Sequence, residues 1–129
     1  MITATKHDCK RKTEYSAGYD LAADGEYLIQ PGTVALVKTG VYLDISENYF
    51  GMVVSRSSMA LAGVVVANSP GIIDADYKDE VMVMLRNTIQ APVAVTDGQR
   101  VAQLVLVPYV TFGEVVGQIR QGGIGSTGK

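Results

Sequence analysis

Cysteine, histidine and tryptophan are nearly missing from this sequence. Its 129 residues include one cysteine, one histidine and no tryptophan. A lone cysteine, Cys9, excludes an internal disulfide framework and a zinc site built from several cysteines, and it suits a reducing compartment. The chain therefore has to fold by burying apolar side chains, and a chain of this length can bury roughly two-thirds of its unfolded surface.

Long apolar runs and an excess of positive charge are missing as well. The longest apolar stretch, residues 59–67, is far shorter than the ~20 residues of a membrane-spanning helix. The polar N-terminal segment MITATKHDCKRK is unlike a signal peptide. The net charge of −2 argues against general binding of nucleic acid. We therefore expect an intracellular, cytoplasmic protein that binds neither membranes nor nucleic acids, in which a polyanionic ligand would need local cations or a metal ion.

What the sequence does contain is a series of short β-branched stretches. Turn signals such as Asp24-Gly25 and Asp97-Gly98 separate them, and many short strands at about ten-residue spacing are typical of a β-sandwich or barrel. No repeat or linker divides the chain, so residues 1–129 are predicted to form a single domain. The predicted strands are residues 27–30, 33–45, 50–54, 63–67, 80–86, 93–96 and 100–110.

Two segments depart from this strand pattern. In residues 55–62, serines suitable as N-caps precede good helix formers, and Gly63 follows as a stop, which predicts a short helix. Residues 121–129 contain four glycines and few apolar side chains, so we expect a tail that is ordered only by a ligand or partner. The predicted fold class is all-β, a jelly-roll-like barrel or sandwich with one short helix and a flexible Gly-rich C-terminal tail.

Two polar clusters have both a structural and a functional interpretation. Residues 74–80, DADYKDE, are either a solvated charged turn or the location of a carboxylate that acts as a general base or lies near Mg²⁺. Arg56-Ser57-Ser58 either caps the predicted helix or binds a phosphate through its guanidinium, its hydroxyls and the helix N-terminus. His7, alone near the N-terminus, is predicted to be a surface residue.

The tail sequence GIGSTGK, residues 123–129, is similar to the start of a Walker A loop. That motif requires a Ser or Thr after the lysine, a strand before the loop and a helix after it. Because nothing follows Lys129 in this sequence, we expect no P-loop. A Gly-rich tail with two hydroxyls and a cation still suits a lid over a triphosphate.

Five segments, taken in order, resemble the five motifs of the trimeric dUTPase family. A single motif is weak evidence, whereas five in sequence, running from about residue 17 to the C-terminus, are specific. Three positions depart from the family pattern: Ser58 stands where glycine is common, Ile124 stands where an aromatic residue is usual, and the stretch after Arg120 is one residue short. The segments are residues 17–21 (AGYDL), 55–60 (SRSSMA), 71–77 (GIIDADY), 98–105 (GQRVAQLV) and 120–128 (RQGGIGSTG).

This resemblance implies a jelly-roll fold and a homotrimer whose three sites are each built by three subunits. One subunit would supply the first, second and fourth motifs, the next would supply the third, and the last would supply the tail, residues 120–129, as a lid. The implied reaction is Mg²⁺-dependent hydrolysis of dUTP to dUMP and pyrophosphate, with water attacking the α-phosphorus and Asp74 as its base. It would limit uracil in DNA and supply dUMP for dTMP synthesis.

The resemblance also implies a set of substrate contacts. Tyr77 would pack against the deoxyribose and exclude a 2′-hydroxyl, and Asn68 would match the uracil edge, because an amide both donates and accepts hydrogen bonds. Asp20 would support Mg²⁺ through water. The residues implied on the phosphate chain are Arg56, Ser57, Ser58 and Gln103. The residues implied in the tail, on the γ-phosphate and the base, are Arg120, Ile124, Gly125, Ser126 and Thr127.

Two alternatives belong to other functional classes. A dCTP deaminase has a related fold but would lack the Gly-rich fifth motif, and it would release ammonia from dCTP. A non-catalytic nucleotide-binding relative would be expected to lose the base, yet Asp74 and Tyr77 are both present. Binding of dUTP without turnover would support that second alternative.

Overall fold

The computed structural model describes residues 1–113, which form ten β-strands and one short helix, α1 (Ser57–Leu61). No helix in this part of the chain has the length and apolar character needed to cross a membrane. The strands, in chain order, are β1 (Ile2–Ala4), β2 (Tyr19–Ala22), β3 (Tyr27–Ile29), β4 (Val34–Leu43), β5 (Tyr49–Ser55), β6 (Val64–Val66), β7 (Gly71–Ile73), β8 (Val81–Asn87), β9 (Val93–Val95) and β10 (Arg100–Pro108).

These strands form two four-stranded sheets and one two-stranded sheet. The strand orders are β1-β4-β8-β6, β2-β10-β5-β7 and β3-β9, and the neighbours pair antiparallel. Side chains alternate along β8, where Val81, Val83 and Leu85 are buried whereas Met82 and Met84 are half-buried. Buried side chains of both large sheets join one apolar core. The predicted all-β, jelly-roll-like fold with one short helix is confirmed.

Three short strands were not predicted from the sequence. The seven predicted strands are all present, with ends that differ by one or two residues, whereas β1, β2 and β7 were missed. Each missed strand stands where other signals dominate: β1 opens the polar N-terminal segment, β2 contains Asp20, and β7 begins at the turn signal Ser69-Pro70-Gly71. They are strands because each pairs with a longer strand, β1 with β4, β2 with β10, and β7 with β5.

The helix begins differently from the prediction. Its N-cap residue is Arg56, and no side chain caps it. Ser55, one of the serines expected to cap, ends β5, and its hydroxyl accepts a hydrogen bond from the backbone N–H of Val66 at 2.9 Å. Ser57 and Ser58 are the first two helical residues and are exposed. The capping interpretation of this cluster is therefore wrong, because the serines lie either before or inside the helix.

The N-terminal segment covers the outer edge of β2, which ends its sheet. The backbone N–H of Asp20 donates to the carbonyl of Lys10 at 3.0 Å, and Arg11 forms an isolated bridge with Tyr19. An uncovered edge strand would leave such groups without protein partners. His7, expected on the surface, is instead partly buried in this segment, with 27% of its side chain exposed.

Candidate active site

Asp20 lies between two arginines at the ends of neighbouring strands. Its Oδ1 is 3.6 Å from Nε of Arg56, and its Oδ2 is 3.6 Å from Nη1 of Arg100. Arg56 also donates from Nη1 to the carbonyl of Arg100 at 3.1 Å. The side chains of Asp20 and Arg56 are only 17% and 22% exposed, so solvent screens this pair less than a surface pair. Two guanidinium groups and one carboxylate give a net positive cluster, which suits a ligand rich in phosphate.

Gln103 belongs to the same cluster. It lies opposite Asp20 in the pairing of β10 with β2, and its Nε2 donates to the carbonyl of Ser55 at 3.1 Å. A Cβ added to Gly18 would stand 2.4 Å from Oε1 of Gln103, so a larger residue there would push the carboxamide away. The structure thus brings together Asp20, Arg56 and Gln103, three of the residues implied by the resemblance.

Ser57 and Ser58 extend this cluster at the start of α1. Both are exposed, and no side chain caps the first N–H groups of the helix. Met59 is the buried residue of the helix, and its sulfur accepts a hydrogen bond from Nε2 of Gln99 at 3.6 Å. The buried methionine therefore anchors a short turn whose hydroxyls and N–H groups stay accessible beside Arg56.

A second group of predicted site residues flanks β7. Asp74 has an exposed side chain and begins a tight turn in which the backbone N–H of Tyr77 donates to its carbonyl at 3.0 Å. Tyr77 is partly buried against the core, and its hydroxyl donates to the carbonyl of Glu80 at 2.6 Å. The side-chain amide of Asn68 lies over Gly71, where an added Cβ would be 3.2 Å from its Nδ2. Asn68, Asp74 and Tyr77 thus lie on the segments immediately before and after β7, which pairs with β5.

Asp74 and the positive cluster around Asp20 lie at opposite ends of β5 within one chain. Ile73, which precedes Asp74, pairs with Gly51 near the beginning of β5, whereas Arg56 follows the last residue of that strand. Gly51 and Arg56 are five residue steps apart along the chain, and Asp74 lies one step further in the opposite direction. At about 3.4 Å per step, Asp74 and Arg56 are roughly 20 Å apart. One subunit does not bring the predicted base and the predicted phosphate site together.

The remaining predicted site residues belong to the tail. They lie outside the described residues and are Arg120, Ile124, Gly125, Ser126 and Thr127.

Clusters of side chains that could hold a metal ion are rare among residues 1–113. One trio there has ligand atoms that lie within 4.8 Å of one another, namely His7, Asp24 and Asp97. Asp20 is not a member of such a trio in the described part of the chain. A role for Asp20 towards Mg²⁺ through water needs no cluster of protein ligands, because Mg²⁺ keeps several waters and takes further oxygens from phosphates.

Sequence reasoning missed Arg100. It stands in the fourth motif segment, three residues before Gln103, but was given no role there. Its contact with Asp20 depends on the pairing of β10 with β2. The available signal for Arg100 was its position as the one charged residue of β10, at the start of an otherwise mostly apolar strand. The contact shows that the positive charge of the cluster comes from two strands.

Cys9 is half-buried and packs against the core. Burial, and secondly the negative charge of Asp20, raise the pKa of its thiol from 9.0 to about 11. The folded chain therefore holds the thiol proton more tightly than the unfolded chain, so this contribution to stability is complete below pH 9.0 and is lost as the pH rises through about 11.

We accordingly expect Cys9 to react slowly with iodoacetamide. The thiolate is the nucleophile, and a pKa raised from 9.0 to about 11 lowers its fraction at pH 8 by roughly 100-fold. Intact-mass spectrometry over time measures the alkylation, with the chain in guanidinium chloride as the control. Equal rates for the folded and denatured chains would contradict the burial of this thiol.

Comparisons with known proteins agree with this fold. A family model described as dUTPase matches residues 4–128. The deoxyuridine 5'-triphosphate nucleotidohydrolase of Anaeromyxobacter sp. is 45% identical over 100 residues, which cover 77% of this chain and 68% of that protein. The protein of the same name from Rickettsia typhi is 38% identical over 125 residues, 90% of this chain and 84% of its own length. The dUTPase structure from Streptococcus mutans superposes with a TM-score of 0.78 at 30% identity, over 82% of this chain and 88% of that one. The chain belongs to the dUTPase family.

Proposed function

We propose that this protein hydrolyses dUTP to dUMP and pyrophosphate with Mg²⁺ as cofactor, as a homotrimer in which subunits share each site. Family membership supports the substrate, and the positive cluster around Asp20 supports a ligand rich in phosphate. In this proposal residues 1–129 act as one domain that works in the cytoplasm. The reaction removes dUTP from the precursors of DNA and supplies dUMP for dTMP synthesis.

The observation that carries the shared site is the separation along β5. Asp74 follows a strand that pairs near the beginning of β5, whereas Arg56 follows its end. A general base has to be within hydrogen-bond reach of the water that attacks the phosphorus. Because one chain holds the base and the phosphate-binding residues far apart, a complete site requires Asp74 from one subunit and Arg56 from another.

Apolar surface beside Asp74 supports contact between subunits. Met52 pairs with both Ile72 and Val105, so these three side chains form a row across β7, β5 and β10. Ile72 is 55% exposed, and Met52 and Val105 are half-buried. A neighbouring subunit that covers this row would be held close to the residue proposed as the base.

In the proposed mechanism the carboxylate of Asp74 orients a water molecule and accepts its proton. The water oxygen bonds to the α-phosphorus while the bond from that phosphorus to the bridging oxygen breaks, and pyrophosphate leaves with the electron pair. Arg56, Ser57, Ser58 and Gln103 hold the phosphate chain in line for this attack. Positioning and charge neutralisation provide most of the rate enhancement in such transfers.

The donor set around Asp20 fits Mg²⁺ bound through water. Asp20 offers a hard carboxylate oxygen, the ligand type that Mg²⁺ prefers. Because both of its oxygens face arginines, the triphosphate would supply most of the direct ligands. A bound Mg²⁺ supplies neutralisation of the phosphate charges. Asp20 would hold the ion through its water shell.

We assign selectivity for the base and the sugar to the segments that flank β7. The hydroxyl of Tyr77 donates to the carbonyl of Glu80, and in this proposal the ring so held would pack against the deoxyribose and exclude a 2′-hydroxyl. The amide of Asn68 matches the donor and acceptor pattern of uracil. Cytosine would leave polar groups of the site without matching partners. A tight fit around carbon 5 of the base would exclude the methyl group of thymine.

The tail is proposed to be the lid of the site. Arg120, Ser126 and Thr127 would close on the γ-phosphate, and Ile124 with Gly125 would cover the base. Closure would exclude water other than the attacking molecule. The basis of this proposal is the resemblance of residues 120–128 to the fifth family motif.

A nucleotide panel in ¹⁸O-labelled water tests the proposal. We expect pyrophosphate release from dUTP in the presence of Mg²⁺, little from dTTP, dCTP or UTP, and loss of activity with EDTA. The label should appear in dUMP, because the α-phosphorus is attacked. Label in pyrophosphate would contradict the mechanism, and ammonia released from dCTP would favour a deaminase.

A further inference from the structure

Three loops meet at the side chain of Asp97, in the turn that precedes β10. Its Oδ1 is 3.0 Å from Nε2 of His7 and accepts a hydrogen bond from the backbone N–H of Gly25 at 2.8 Å. Beside it, Nζ of Lys6 lies 3.7 Å from Oδ1 of Asp24. The N-terminal segment is therefore tied at residues 6 and 7 to the turns before β3 and before β10.

The direction of the central hydrogen bond follows from charge. The N–H of Gly25 first, and the hydrogen bond from His7 second, lower the pKa of Asp97. Asp97 is thus an ionised carboxylate at neutral pH and only accepts hydrogen bonds. His7 therefore carries its proton on Nε2 and donates it, and such a bond to a charged acceptor is stronger than a neutral one.

The two residues of the hydrogen bond between His7 and Asp97 each lie three residues before a residue that contacts Asp20. Three residues after His7, the carbonyl of Lys10 accepts the backbone N–H of Asp20, on the open edge of β2. Three residues after Asp97, Arg100 makes its ion pair with Asp20. The hydrogen bond between His7 and Asp97 joins segments 90 residues apart in sequence, and each segment has its own contact with Asp20.

We infer that the hydrogen bond between His7 and Asp97 is a positioning clasp, which holds the N-terminal segment on β2 and so fixes Asp20 between its two arginines. In residues 8–12, the backbone contacts with β2 are the hydrogen bond to Lys10 and the bridge at Arg11. Cys9 also packs against the core, but with so few backbone contacts the covering segment is prone to local opening unless its ends are fixed. His7 is a positioning residue, because it acts on the site through Asp20.

The clasp predicts a local effect of removing the imidazole. In His7→Ala, hydrogen exchange at the Asp20 amide should be faster by roughly tenfold, since a hydrogen bond to a charged group is lost. The exchange of the core amide of Val83 should not change. His7→Gln retains a side-chain N–H donor and should restore most of the protection. Exchange is measured by NMR well below the melting temperature of each variant.

Asp8 supplies a matched control on the same segment. Its Oδ2 is 3.6 Å from Nζ of Lys10, and the two side chains are 85% and 76% exposed. Asp8→Ala therefore truncates a neighbouring polar residue without touching the clasp, and it should leave the Asp20 amide protected. Equal exchange at the Asp20 amide in His7→Ala and in the unchanged protein, or equal acceleration in Asp8→Ala, would overturn the inference. So would equal acceleration at Val83, because the effect would then be global.

A kinetic measurement, which rests on the proposed function, distinguishes a positioning role of His7 from a direct role in the reaction. If Asp20 and its arginines are less well held, the KM for dUTP should rise by about threefold to tenfold in His7→Ala with a smaller change in kcat. The affinity for inorganic pyrophosphate in EDTA, measured by calorimetry, should fall to a similar degree. An unchanged affinity would contradict the link to the phosphate site. If the unchanged protein does not hydrolyse dUTP, the proposed function fails, whereas exchange and pyrophosphate binding still test the clasp.

Discussion

Asp74→Asn is expected to lower kcat for dUTP by about 10²-fold to 10⁴-fold, the usual effect of removing a general base. The amide has nearly the same shape as the carboxylate but cannot accept the proton of the attacking water. Asp74 is exposed at the end of β7, so the substitution should not disturb the core. The KM for dUTP should change little, because the phosphate-binding residues are elsewhere in the site. Steady-state pyrophosphate release measures both constants.

Asp79→Asn is the matched control for this variant. Asp79 is an exposed aspartate five residues further along the same acidic segment, and it has no role in the proposed mechanism. It should retain nearly normal turnover. If Asp74→Asn also retained normal turnover, Asp74 would not be the base, and the acidic segment would be a solvated turn.

Mixing two inactive variants is expected to restore activity. Arg56→Ala removes a cation from the phosphate site, a loss typically worth 10²-fold to 10³-fold in kcat, and Asp74→Asn removes the base. If every site takes Asp74 from one subunit and Arg56 from another, random mixed trimers made from equal amounts will have about one quarter of their sites intact. Activity should therefore rise from near zero to about one quarter of the unmutated level.

The complementation experiment requires mixed assembly. The two variants are denatured together and refolded, and light scattering establishes the oligomeric state. Variants refolded separately and combined afterwards should stay inactive until subunits exchange. Failure to regain activity in verified mixed oligomers would contradict the shared site, and a stable monomer with full activity would exclude it.

Much of the fold was predictable because its signals are local. The β-branched stretches that became β4, β8 and β10, and turn residues such as Asp97-Gly98, predicted these strands to within two residues. The short strands β1, β2 and β7 were not predictable in the same way. Their residues stand in polar or turn-rich stretches, and they are strands because β4, β10 and β5 lie beside them.

The sequence by itself determined the family, the all-β class and the identities of the candidate site residues, because these depend on patterns that are read along the chain. Tertiary structure alone decided which residues meet. Pairing of β2 with β10 brings Arg100 to Asp20. Asp97, in the turn before β10, contacts His7, 90 residues earlier in the chain. It also placed Asp74 and Arg56 at opposite ends of β5. Such distances follow from strand order and register, which no local pattern encodes.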